Sequence, residues 1–336
     1  MRILACRPGP SFSVADVHRG WVGALRSLVD LADFNLDDRL AFYEMALEGH
    51  EDDIDGTVSE RTAIMASRSL NADIYAFQPD VLLLTFGKFV APFVYQLARA
   101  HGVKVVLHAT ESPYEDELQL QIARDCDLVL LNDPTNLDKF REVTRAEYMP
   151  HAYDPTVHHP GPVAKNFRSD FCFVGSGFPS RQRFFQQVDF NGIDVALAGH
   201  WPWLQPDDPL LKFLAHDISR CCDNAEAADL YRGARVSANL YRNEGETTDA
   251  GWAAGPREIE LAACGTFFLR DPRPESDQLF PMLPTFDGPA DFGEKLRWYL
   301  AHPSERIDAA HKASGAIAAR TFANNAKRLL ELIDSL

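Results

Sequence analysis

Positive charge is scarce in this chain. Its 336 residues carry 33 Lys and Arg against 49 Asp and Glu, a formal net charge of −16 at pH 7. That balance gives no long-range attraction to a phosphate backbone and mildly opposes it, so a dedicated nucleic-acid scaffold is a poor assignment. DNA stays open only as a partner that charge does not favour. Cysteine is sparse as well. None of the six, Cys6, Cys126, Cys172, Cys221, Cys222 and Cys264, forms a CxxC pair or a metal-ligand spacing, and several lie in apolar runs such as Phe171-Cys172-Phe173-Val174. A thiol there behaves as a small buried hydrophobe, which fits a reducing compartment. No apolar run approaches the roughly 18 residues of a membrane span, and the sequence opens on Met1-Arg2-Ile3-Leu4-Ala5 without a leader pattern. The expectation is no membrane span and a cytoplasmic location.

Metal signals are equally poor. Asp53-Ile54-Asp55 lies in an acidic run that reads as a solvated loop, Asp125-Cys126-Asp127 precedes a strand instead of following one, and His158-His159 are adjacent, a poor geometry for one ion. No metal and no cofactor are expected.

Short apolar runs alternate with longer segments of helical period, the pattern of βαβ units and a parallel sheet. In the first half the strands are read at Met1 to Cys6, Val81 to Thr85, Val103 to His108, Leu128 to Asn132 and Arg145 to Met149, with a first helix from Val17 to Leu31. From His151 to Arg168 the chain is rich in Pro and Gly and reads as a linker. A second series follows, with strands at Asp170 to Val174, Asp194 to Ala198, Val236 to Leu240 and Thr266 to Arg270, then a long helical pattern from Asp308 to Leu336. The fold expected is α/β, two Rossmann-like domains over residues 1–160 and 161–315 facing a central cleft, with a C-terminal helix over 316–336.

Four loops carry candidate chemistry. After the first strand, Arg7 to Trp21 holds Ser11, Ser13, Asp16 and His18 at the entry to a helix; the alternative is that Asp16 merely caps that helix and His18 is a surface residue. A second strand delivers His108 to the same carboxyl edge with Glu111 three residues on, where an imidazole can bond a sugar hydroxyl, move a proton, or simply be satisfied by loop carbonyls. In the second half, Gly175-Ser176-Gly177 runs into a helix carrying Arg181 and Arg183, so that bare N–H groups can face an anion. The third glycine of a dinucleotide fingerprint is missing.

The fourth segment is the most informative. In Gly255-Pro256-Arg257-Glu258-Ile259-Glu260-Leu261-Ala262-Ala263-Cys264-Gly265, proline and glycine bracket a short helix on which Arg257 and Glu260 share a face. Arg257 suits phosphate, and Glu260 suits a pair of vicinal ribose hydroxyls. The plain alternative is an ordinary surface ion pair. Trp201 in Gly199-His200-Trp201, read as an aromatic edge for a nucleobase, and Asn239 and Arg242, leaving another strand, accompany these.

With Arg257 to Thr266 read beside Gly175-Ser176-Gly177 and Gly199-His200-Trp201, the sequence resembles the GT-B glycosyltransferases, closest to the CgeB-like or group 1 branch. The opening Pro8 to Val17 is similar to glycosyltransferase-like proteins of phages and actinobacteria. The resemblance implies metal-independent transfer of a sugar from a nucleoside diphosphate sugar, such as a UDP-sugar, to a hydroxyl acceptor that is protein, glycan or a modified phage DNA base. It implies donor contacts from Gly175, Ser176, Gly177, Arg181, Trp201, Asn239, Arg242, Arg257 and Glu260, acceptor contacts from Ser11, Ser13 and Glu111, catalytic roles for His108, Asp16 and His18, and a last helix crossing back to the first domain. Where retaining relatives place a carboxylate eight positions before Glu260, this chain has Trp252, leaving Glu244, Glu246 or Asp249 as substitutes and retention or inversion open. A nucleotide-sugar epimerase and a non-catalytic two-domain binding protein are the competing readings.

Overall fold

A computed structural model describes residues 1–10, 12–49, 57–216, 222–243 and 251–336. The chain divides into two units, Met1–Pro150 with Phe322–Leu336, and His151–Thr321.

In the first unit β1 (Arg2–Cys6), β2 (Asp30–Phe34), β3 (Val81–Thr85), β4 (Lys104–Ala109), β5 (Leu128–Leu131) and β6 (Arg145–Tyr148) form one parallel sheet in the order β2-β1-β3-β4-β5-β6. The helices α1 (Phe12–Leu25), α2 (Leu36–Leu47), α3 (Val58–Phe77), α4 (Pro92–Ala100), α5 (Asp116–Ala123) and α6 (Leu137–Arg141) connect them. Every residue of β3 and β5 is buried, because helices cover both faces. Leu82, Leu84 and Leu107 pack on one side with Leu70 and Val94; Leu83, Val106 and Leu130 pack on the other with Trp21 of α1 and with Ala326, Leu329 and Ile333 of the C-terminal helix, Phe322–Asp334. Those last three recur at helical spacing on one face, which is why this helix docks.

The strand β2 corrects the sequence reading, which runs a helix through to Leu31. It pairs with β1 alone, at the sheet edge, so Asp30 and Asp33 are tolerated and no apolar run announces it.

The second unit holds β7 (Ser169–Val174), α7 (Pro179–Gln186), β8 (Val195–Ala198), α8 (Asn224–Gly233), β9 (Ala234–Asn239), α9 (Pro256–Ala263), β10 (Phe268–Arg270), α10 (Pro274–Leu279), α11 (Gly288–Ala301) and α12 (Pro303–Ala316). Its four strands are parallel in the order β10-β9-β7-β8. Phenylalanines dominate the core: the ring of Phe171 lies 6.0, 5.7 and 5.5 Å from those of Phe185, Phe190 and Phe292.

The division falls after Pro150 instead of near residue 160. Residues 151–160, read as linker, are packed onto the second unit: Arg232 Nη1 donates to Val157 O at 2.9 Å, and His158 is buried with Nε2 3.3 Å from Asn224 Oδ1. The long helical pattern from Asp308 is two helices, interrupted where Tyr153 N–H donates to Arg320 O at 2.9 Å and Tyr153 bridges Thr321.

Candidate functional site

Strand β7 ends at Val174, and Gly175-Ser176-Gly177 carries the chain into α7. Both glycines are dictated by close approach: a Cβ on Gly175 would overlap Arg257 Nη2, and one on Gly177 would overlap the Trp201 indole. Arg257 leaves the first turn of α9 and reaches back to β7. Its Nε–H donates to Val174 O at 2.5 Å, its Nη1–H to Asn239 Oδ1 at 2.9 Å, and its guanidinium lies 4.7 Å from the Phe173 ring centre. Asn239, at the end of β9, is buried, and its Nδ2 has no partner among the described residues.

Glu260, one turn after Arg257, keeps 19% of its side chain exposed. No hydrogen bond from the described residues reaches its carboxylate; His158 Nε2 stands 3.9 Å from Oε1. Burial pushes the carboxyl up to about 7 against the pull of Arg257. An acceptor group that the described residues leave without a hydrogen bond beside a cation is suited to hydroxyl donors of a ligand.

The segment in front of α9 is pinned by residues that sequence reasoning passed over. Glu258 is fully buried and accepts from Gly255 N–H at 2.8 Å, from Ser276 O–H at 2.6 Å and from the Tyr241 hydroxyl. Burial raises its pKa, opposed by those hydrogen bonds. Glu275 accepts from Ala254 N–H at 2.8 Å and pairs with Arg320. Arg273 stacks on Tyr241, 3.7 Å from the ring centre. Apart from Gly255, three positions before Glu258, their hydrogen-bond partners lie 17 or more positions away along the chain.

Three donor-side expectations need correction. The N–H groups of Gly175 and Gly177 are not bare: they donate to Ala198 O at 2.9 Å and to His200 O at 2.8 Å. Arg181 is buried, with Nη1 donating to Ser176 O at 2.9 Å and Nη2 to Leu240 O at 2.6 Å, so it props the loop from behind. Trp201 is fully buried and donates to Ala198 O at 2.9 Å; it is a core plug beneath Gly177, not an edge for a base. The exposed indole of this loop is Trp203, stacked on Phe178 with centroids 5.7 Å apart. Arg242 is exposed, 5.1 Å from the Phe178 ring centre.

In the first unit α1 brings His18 and Trp21 onto the sheet. His18 is no surface residue: it is buried, with Nε2 2.9 Å from Asp33 Oδ1 and Nδ1 3.3 Å from Thr85 Oγ1. Arg7 Nη2 donates to the other Asp33 oxygen at 3.0 Å. Burial would raise Asp33, but the hydrogen bonds from His18 and Arg7 outweigh it and hold the carboxyl at about 2. His108 follows Leu107 near the end of β4, opposite Thr85 in register, and its Nδ1 accepts from Trp21 Nε1–H at 3.0 Å. Asp16 pairs with Arg19 at the surface, and Glu111 stands half-buried in the loop after β4. Ser11 and the side chain of Ser13 lie outside the described residues, as do Asp53, Asp55, Cys221, Glu244, Glu246 and Asp249. Among the described residues no three His, Cys, Asp or Glu side chains gather as a metal site, and no helix is long and apolar enough to cross a membrane.

The two parallel α/β units, the second with a glycine loop and the α9 residues at its strand ends, have the GT-B fold. Residues 181–333 match the family model described as glycosyl transferase-like. The chain is 24% identical over 246 residues to the spore protein CgeB of Bacillus subtilis (strain 168), covering 70% of this chain and 77% of that protein. Among solved structures it is similar to trehalose-6-phosphate from E. coli bound with UDP-2-fluoro glucose (TM-score 0.64, 11% identity, 100% of this chain and 99% of that one). It is also similar to Anabaena HepE in complex with UDP-glucose (TM-score 0.61, 13% identity, all of both chains). The chain therefore shares the fold of these two structures and, over residues 181–333, the sequence pattern of glycosyl transferase-like proteins.

Proposed function

We propose that the protein transfers a glycosyl group from a nucleoside diphosphate sugar to a hydroxyl, with the donor held by the second unit. The observation that carries this reading is the placement of Arg257 and, one turn on along α9, of a half-buried Glu260 that no described residue hydrogen-bonds, with Arg257 Nη2 lying against the glycine loop after β7. That the solved relatives of the same fold are complexes of UDP-glucose and UDP-2-fluoro glucose supports a UDP-sugar as the first donor to try. Glu260 would accept from the ribose hydroxyls. Arg257 Nη2, against Gly175, would take the charge that builds on the leaving diphosphate. No cofactor and no metal ion enter this scheme.

For stereochemistry we adopt retention, in which the leaving phosphate takes the acceptor proton. Inversion would need a base such as Asp16 or His18, and both are already engaged: His18 is buried between Asp33 and Thr85, and Asp16 pairs with Arg19. His108, near the end of β4, is assigned to the sugar or the acceptor. A thermal-shift screen against nucleoside diphosphate sugars, followed by mass spectrometry of protein, glycan and DNA acceptors, tests the proposal. Stabilisation by a nucleotide sugar together with mass gain on an acceptor supports it. Donor conversion with no acceptor would indicate an epimerase instead, and binding without turnover a receptor.

A further inference from the structure

The contact between Trp21 and His108 fixes more than packing. Both side chains are buried, at 0% and 5% exposure, and their rings meet edge to face at 90°. An indole N–H can only donate, and it meets His108 Nδ1 at 3.0 Å. A ring nitrogen that accepts from N–H carries no proton of its own, so the neutral imidazole holds its proton on Nε2. Protonating both nitrogens would set two N–H groups head to head inside a buried contact, which leaves a donor without an acceptor.

Both partners are held in place. Trp21 lies one turn after His18 on α1, and the Phe322 ring of the C-terminal helix packs 6.0 Å from it. A Cβ on Gly20 would overlap that same ring, so α1 and the C-terminal helix meet at close range just where the indole is anchored. His108 is fixed from its strand, in register with Thr85, whose hydroxyl already engages His18.

We propose that Trp21 is a positioning residue: by holding His108 in the Nε2–H form, it makes His108 a hydrogen-bond donor to a substrate oxygen and withholds it from service as a proton-accepting base. The proposal rests on the reading that His108 meets substrate, but the tautomer itself is readable with no substrate present. Its failure is therefore separable from failure of the nucleotide-sugar assignment.

The test is a long-range 1H–15N correlation of the imidazoles in the 15N-labelled full chain, with His108 assigned by its loss in His108→Gln. The expected spectrum of the unmodified protein shows an unprotonated Nδ1 and a protonated Nε2, and Trp21→Phe, which keeps a ring but no N–H, converts it to a mixture of tautomers. A proton on Nδ1 in the unmodified protein, or a Trp21→Phe spectrum unchanged from it, overturns the proposal; if Trp21→Phe does not fold, the unmodified spectrum decides alone. Nucleotide-sugar turnover supplies the second arm. His108→Gln, which retains an N–H donor, should keep at least tenfold more activity than His108→Ala, and equal loss in the two contradicts a donor role.

Discussion

Arg257 Nε–H donates to Val174 O at 2.5 Å, tying the first turn of α9 to the end of β7. The bond places the cation over the Gly175 backbone with Nη2 where a side chain at residue 175 would stand. Gly175→Ala should displace the guanidinium and weaken nucleoside diphosphate affinity about tenfold, roughly the loss of one charge-assisted hydrogen bond. Isothermal titration of the variant against the unmodified protein checks this, and an unchanged affinity removes Arg257 from the phosphate site.

Glu260 makes stability and ligand binding run in opposite directions with pH. Its folded pKa, about 7, lies above the ordinary 4.5, so the folded state binds more protons and stability falls as pH rises from 4.5 through 7. The effect is on the order of 3 kcal/mol. Binding through an ionised Glu260 should instead weaken as pH drops below 7. His158, lowered by burial to about 4, costs stability in the other direction, as pH falls from 6.5 toward 4. Comparing urea midpoints of Glu260→Gln and unmodified protein at pH 5 and pH 8 isolates the Glu260 contribution: the variant should gain at pH 8 and not at pH 5.

Trp201 and Trp203 separate a core role from a surface one. Truncating buried Trp201 to Ala leaves a cavity under Gly177 and should cost about 3–5 kcal/mol. Trp203, 46% exposed, should cost about 1 kcal/mol or less. Equal costs in denaturant melts would mean that Trp201 does not plug the loop.

Asp33 joins Arg7 to His18, and its folded pKa of about 2 lies below the ordinary 3.8. The stability it supplies is present above pH 3.8 and lost as pH falls toward 2. Asp33→Asn should lower stability at pH 7 by about 2–3 kcal/mol and flatten the acid limb of the stability profile. An acid limb identical to that of the unmodified protein would show that the network contributes nothing.

What the sequence disclosed follows from range. The central strands and α9 were legible because apolar runs, Pro256 and Gly265 are local signals. Arg257 and Glu260 were legible as a pair because three residues make a helical turn. The tie from Arg257 to Val174 spans 83 positions, and nothing local announces it. The same holds for the Glu258 anchors Tyr241 and Ser276, 17 and 18 positions away. The pairing of His18 with Asp33 is not legible because Asp33 sits on β2, an edge strand with no apolar pattern. Trp201 and Trp203 differ only in burial, which two similar indoles in one loop do not reveal.

The central claim is that Glu260 holds the donor nucleotide. The most direct measurement is the affinity of the full protein and of Glu260→Ala for UDP-glucose and other nucleoside diphosphate sugars by isothermal titration at pH 8, where the carboxyl is ionised. The prediction is binding of one nucleotide class by the unmodified protein and at least a tenfold loss in the variant, about 1.4 kcal/mol. Binding of none of them, or equal binding by both proteins, would contradict it.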